Sequence, residues 1–182
     1  MDRRRRLALA AGAALSLAAP STRAQRARWL HPPRDRAERD RELAARFLDV
    51  PLVDDATLAD ELARPAPLLR LEARTSAEPA GRRLPGARPA FDEAGVAAAF
   101  ADAPAAAPVV AYRSIGLRSA RLAQRLVADG RAPRNLRHGL FGWADAGRPL
   151  VDDRGPARLV HPCHAGWGRL LSEARRAPLE TR

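Results

Sequence analysis

Apolar and polar positions along this 182-residue chain fall into blocks of two periods. "APLLRLEA" and "APVVAY" are short runs dense in Leu and Val, and they predict strands ending near Glu72 and at Tyr112. Helical patterns lie around them. "DDATLADELARP" opens on Asp54 and Asp55, spaces Leu58 and Leu62 four apart and stops at Pro65. "FDEAGVAAAFADA" predicts a helix around 91–103, and "RSARLAQRLVADG" one from about Arg118 to Asp129, terminated by Gly130. "APRNL" is expected as an edge strand, and "GLFGWADAG" as a short helix closed by Gly147. "RTSAEPAGRRLPGARPA" is rich in Pro and Gly and predicts a loop without an element of its own. Strands alternating with helices point to parallel βαβ units, hence an α/β fold.

The chain before this pattern divides in two. "MDRRRRLALAAGAALSLAAPSTRA" has arginines at 3–6, an apolar run from Leu7 to Ala19 and small residues before a cut after Ala24, so residues 1–24 predict an export signal. The run is short for a membrane span. The paired arginines fit either a general or a twin-arginine route. The expected location is periplasmic, or membrane-tethered if the signal stays uncleaved. Residues 25–52 follow as a charged helical extension, packed on the domain or serving as a spacer. It has a helix from about Arg34 to Leu48, acid-first pairs at Asp35/Arg39 and Glu42/Arg46, and a narrow stripe of Leu43, Phe47 and Leu48. The compact domain is expected over 53–155, with a Pro- and Arg-rich surface tail over 156–182.

Composition changes this picture little. Aromatics make up only 4 % of residues, so the core must rest on Leu, Val and Ala with a few large anchors. The net charge is +11, all cationic residues being arginine. The first 24 residues hold five arginines and one aspartate, which leaves +7 for the rest. The remaining arginines are interleaved with acids, as in "RDRAERDRELAAR", so nucleic-acid binding is not expected. A single cysteine, Cys163, rules out an intrachain disulfide.

The chemistry concentrates in "YRSIGLRS", at the carboxyl end of the second strand, where open α/β sheets bind ligands. Successive amides of Arg113, Ser114, Ile115, Gly116, Leu117, Arg118 and Ser119 can converge on an anion, helped by the positive end of the following helix. Gly116 permits the turn, and Arg118 can close the ring. An ordinary strand–helix loop with Arg118 in solvent fits the same spacing.

The stretch 109–150 resembles the C-terminal half of a rhodanese domain, the family of single-domain sulfurtransferases. The likeness rests on "YRSIGLRSA", a helix ending at Gly130, and "NLRHGLFGWADAGRPL" with Trp143, Gly147 and Pro149 in register. It extends upstream through "LLRLEARTSAEPAGRRLPGA", covering about residues 55–155. The resemblance implies a central parallel sheet flanked by helices on both faces, and sulfur transfer through a cysteine persulfide. The cysteine position, however, holds Arg113, whose guanidinium is no nucleophile. Glu72 stands for the usual Asp, Arg83 for the usual His, and His138 for the first of two glycines. The six-residue loop from Arg113 to Arg118 has the length of sulfur-handling members.

Two outcomes remain open for the loop. It is either an empty scaffold with Arg113 turned out, or a holder in which Arg113 and Arg118 bracket a small oxyanion or an acidic protein partner. The remaining alternative is sulfur transfer by Cys163, in "RLVHPCHAGWGRLL". That requires its sulfur to reach the loop mouth; otherwise the cysteine is incidental, beside Trp167 and Leu170 as packing anchors. His161, Cys163 and His164 lie too close in sequence for a usual zinc set, and neither metal nor cofactor is expected.

Overall fold

A computed structural model describes residues 32–74, 81–163 and 165–179. The expected export signal lies outside these residues, as does the middle of the Pro/Gly-rich loop. Five parallel strands form the central sheet: β1 (Leu52–Val53), β2 (Leu69–Glu72), β3 (Arg88–Pro89), β4 (Val109–Tyr112) and β5 (Pro133–Leu136), in the order β1-β5-β4-β2-β3. The helices are α1 (Arg36–Arg46), α2 (Asp55–Leu62), α3 (Glu93–Ala101), α4 (Leu117–Ala128), α5 (Gly139–Asp145) and the single turn α6 (Ala165–Gly168). A hairpin of β6 (Leu150–Asp152) and β7 (Gly155–Ala157) forms a second, antiparallel sheet.

Strand alternation divides the core into two layers. On β4, Val109 and Ala111 join Leu69 and Leu71 of β2 in one cluster, covered by Leu43 and Phe47 of α1, Ala99 of α3 and Ala123 and Leu126 of α4. Val110 and Tyr112 face the other way, into a cluster with Leu58 of α2, Phe141 and Trp143 of α5, and Leu150 of β6. Helices therefore cover both faces of a parallel sheet, as the alternating pattern implies.

Four features differ from the sequence reading, the first being β3, which lies within the Pro/Gly-rich stretch expected to hold no element. "PRNL" is an interior strand, because the two-residue β1 pairs on its outer side through Leu52↔Asn135 and Val53↔Leu136. Helix α1 belongs to the compact unit that begins at Pro32. Its Leu43 and Phe47 are buried in the first core layer, and its Arg39 is fully buried beside the Trp167 ring, so it is no detached spacer. The tail is likewise held in: Val160, Leu170 and Leu171 are buried in the second layer. Leu170 also offers its carbonyl to the Arg36 guanidinium, which pairs with Asp145.

Leu43→Ala should destabilise the domain by about 2–4 kcal/mol, the usual cost of emptying a buried leucine site. Urea denaturation measures this. A loss near zero would show that α1 adds nothing to the core.

Candidate functional site

The site is built on what the peptide groups of one loop do. Helices α1, α2 and α3 begin on Asp35, Asp54 and Asp92, whose carboxylates accept from the backbone N–H of Glu38, Thr57 and Gly95. Helices α4 and α5 begin differently. Their capping residues, Gly116 and His138, sit in the left-handed region at φ 86° and 58° and supply no side-chain cap.

At α5 the vacant first-turn amides are filled by the loop. Leu140 N–H donates to the Arg113 carbonyl at 2.9 Å and Phe141 N–H to the Ser114 carbonyl at 3.0 Å. The approach is so close that a Cβ on Gly139 would lie 1.9 Å from the Arg113 carbonyl oxygen. The Gly116 carbonyl is taken as well, by Ala120 N–H at 3.0 Å, the Asn135 side-chain amide at 3.0 Å and the Ser119 hydroxyl at 3.2 Å.

A trans peptide directs its N–H opposite to its C=O, and no peptide bond here is cis. With the carbonyls of Arg113, Ser114 and Gly116 bonded within the protein, the N–H groups of Ser114, Ile115 and Leu117 face away from those bonds. Among the described residues, the N–H groups of Ser114, Ile115, Gly116, Leu117 and Ser119 have no backbone acceptor. They lie at the positive end of α4. Arg113 is half-buried at the start of this loop and Arg118 is exposed in the first turn of α4.

The residues around the loop are fixed. Leu43 of α1 and Asn135 of β5 pack beneath Gly116, where an added Cβ would meet them at 3.1 and 3.3 Å. His138 Nε2 lies 3.0 Å from Asp40 of α1, which Arg137 also approaches. Glu72 is buried and accepts from Arg74 Nε at 3.1 Å, so the Glu-x-Arg pair closes on itself. Tyr112 is fully buried and its hydroxyl accepts from Leu84 N–H at 3.2 Å. Burial, with the Glu72 charge second, pushes its phenol far above the ordinary tyrosine range. Arg83 leads away from the loop, to Asp153 at 2.8 Å and to backbone pairing with Val151.

Cys163 comes to the loop from the C-terminal segment. Its Sγ lies 3.4 Å from the Ser114 Oγ, and its thiol is exposed. The backbone there sits at φ 68°, and Cys163 N–H donates to His161 Nδ1 at 3.1 Å. The segment is anchored by Val160, which pairs with the backbone of Arg175 and Ala177. The sulfur of this cysteine therefore lies beside Ser114 of the loop. Asn135, Gly139 and Asp40 carry the loop and were missed as site residues. A lone Asn in the short strand pattern "PRNL" was the available signal for the first. Among the described residues no three His, Cys, Asp or Glu side chains gather as a metal site, and no helix is long and apolar enough to cross a membrane.

The fold and site together define an α/β parallel-sheet domain with an amide-lined strand–loop–helix turn. No protein-family profile matches the chain, and no curated protein matches it either. Solved structures similar to it include the following two. One is the thiosulfate sulfurtransferase from Pseudomonas aeruginosa, with 25 % identity and TM-score 0.47 over 57 % of this chain and 19 % of that one. The other is a rhodanese-like domain protein from Staphylococcus aureus, with 21 % identity and TM-score 0.44 over 52 % of this chain and 91 % of that one. The matched region thus spans about a fifth of the first protein's length.

Tyr112 is the chain's only tyrosine, which makes its titration readable. Its stabilising contribution is complete below about pH 10, where an unfolded tyrosine keeps its proton, and falls above that by about 1.4 kcal/mol per pH unit. The folded phenol still holds its proton there while the unfolded one releases it. Denaturation curves at increasing alkaline pH should show this slope in the native chain and lose it in Tyr112→Phe. The variant should cost about 1 kcal/mol at neutral pH through the Leu84 bond. Equal alkaline slopes would contradict the assignment.

Proposed function

We propose that this chain is an exported, rhodanese-like sulfur-handling domain. In it the loop 114–119 holds a sulfur oxyanion and Cys163 accepts the sulfur. The observation that carries this reading is the 3.4 Å approach of Cys163 Sγ to Ser114 Oγ, in the loop whose N–H groups have no backbone acceptor. The motif "YRSIGLRSA" supplies the family context, and the N-terminal residues support a periplasmic setting.

The step balances without a further oxidant. The Cys163 thiolate attacks the outer sulfur of thiosulfate, an S–S bond forms, and the original S–S bond breaks to release sulfite. The outward amides and Arg118 stabilise the departing sulfite charge. The persulfide then passes its outer sulfur to a thiophile such as cyanide, restoring the thiolate and giving thiocyanate. A second reading is favoured by Arg113. A cation in the family's nucleophile position suits a domain that holds an oxyanion or an acidic partner group and transfers nothing.

Incubation with thiosulfate followed by intact-mass analysis separates the two. The first reading expects one added sulfur on the native chain, none on Cys163→Ala, and cyanide-dependent release of thiocyanate. An unmodified native chain that gains thermal stability with millimolar sulfate would overturn sulfur transfer and leave anion holding. An unmodified chain with no sulfate response would remove both.

A further inference from the structure

A second concave site lies at the opposite end of the sheet from the loop 114–119. It is a cleft of about 390 Å³ between the last turn of α2 and the amino ends of β2, β4 and β5. Five residues of extended chain, about 16 Å, separate Pro108 on its wall from Arg113 at the head of the loop. The volume falls within the range of small-molecule pockets.

The wall is mostly apolar because of what precedes two of the strands. "PAPLL" leads into β2 and contributes Ala66, Pro67 and Leu68, while Pro108 leads into β4. Neither proline brings an N–H to hydrate, and the Pro108 carbonyl is taken by Leu69 N–H at 2.9 Å. Three charged residues stand beside this wall: Glu61, Arg64 and Arg134. Arg134 holds both oxygens of Glu61, each at 2.7 Å. That bonding keeps the Glu61 carboxyl below the ordinary carboxylate range, so the pair stays ionised. Arg64, two residues beyond the end of α2, is exposed and acts on Glu61 only through its field. With two arginines to one acid, the cleft carries a net positive charge beside an apolar wall.

We infer that this cleft binds a small carboxylic acid with an apolar body, the carboxylate meeting Arg64 and the body lying against Pro67, Leu68 and Pro108. The guanidinium offers a planar fork that matches a carboxylate, and apolar area removed from water supplies the rest of the affinity. The site goes beyond sulfur handling, since none of its residues belongs to the loop or to the Cys163 segment. Other ligand classes fit less well. A cation would have to take Glu61 from Arg134. An inorganic oxyanion would leave the prolines and Leu68 unused, and a neutral apolar molecule would gain nothing from Arg64.

Naphthoate is the probe, titrated into the full chain by isothermal calorimetry, with neutral naphthamide as its isostere. The acid should bind about fivefold tighter than the amide, the upper end for one exposed charge pair. Arg64→Ala should remove that difference, and Arg64→Lys should keep most of it. Circular dichroism confirms that both variants are folded. In amide NMR spectra of the native chain, the acid should shift Glu61, Arg64, Leu68 and Val109. Equal affinity of acid and amide would overturn the inference. So would a preference for the acid that survives in Arg64→Ala, shifts confined to the loop 114–119, or no binding at millimolar acid.

Discussion

Two hydrogen bonds govern this site: Leu140 and Phe141 N–H donating to the carbonyls of Arg113 and Ser114. They decide which way the peptide planes of the loop face, and through planarity they set the Ser114 and Ile115 amides opposite to those carbonyls. Their geometry demands two consecutive left-handed residues, His138 at φ 58° and Gly139 at φ 56°. The second must be glycine, because the Arg113 carbonyl occupies the space of a side chain. Asp40 then holds the less favourable His138 conformation from the neighbouring helix. The first helix, the loop and the short fifth helix are therefore one mechanical unit.

Much of this was legible in the sequence where the signal is local. The strand ending at Tyr112, the turn at Gly116 and the helix stopping at Gly130 rest on neighbours in the chain, and each lies where the pattern put it, within a residue or two. What escaped was set by distant contacts. Strands of two residues, Leu52–Val53 and Arg88–Pro89, exist because longer neighbours template them, and no periodicity can register in so short a run. "PRNL" reads as an edge because its outer partner is one of these. The first helix reads as either packed on the domain or a spacer because its charged surface dominates its sequence, whereas three positions, Arg39, Leu43 and Phe47, carry its packing.

The charge balance follows the same division between local and distant. A net charge of +11 suggests a uniformly basic surface. The pairs instead run between elements, as Arg134 with Glu61, Arg148 with Asp55 and Arg36 with Asp145. Exposed pairs of this kind add little stability each. They do remove positive potential from the regions where they form. Sequence composition counts charges without placing them, and placement sets the field a ligand meets.

An arginine at the head of the loop leaves the loop's hydrogen bonding intact because the residue there contributes its backbone. Arg113 holds the loop through its carbonyl, and any side chain would leave that bond in place. The proposed function has the sulfur supplied by another segment, which must then be held as firmly as the loop. Cys163 meets this condition in a way its exposure conceals. Val160 is fixed by backbone pairing on both sides of Arg176, Pro162 is buried, and the Cys163 amide is tied to His161. A left-handed backbone at a non-glycine residue persists only where its surroundings impose it. The position of the thiol beside Ser114 is therefore a property of how the C-terminal segment packs.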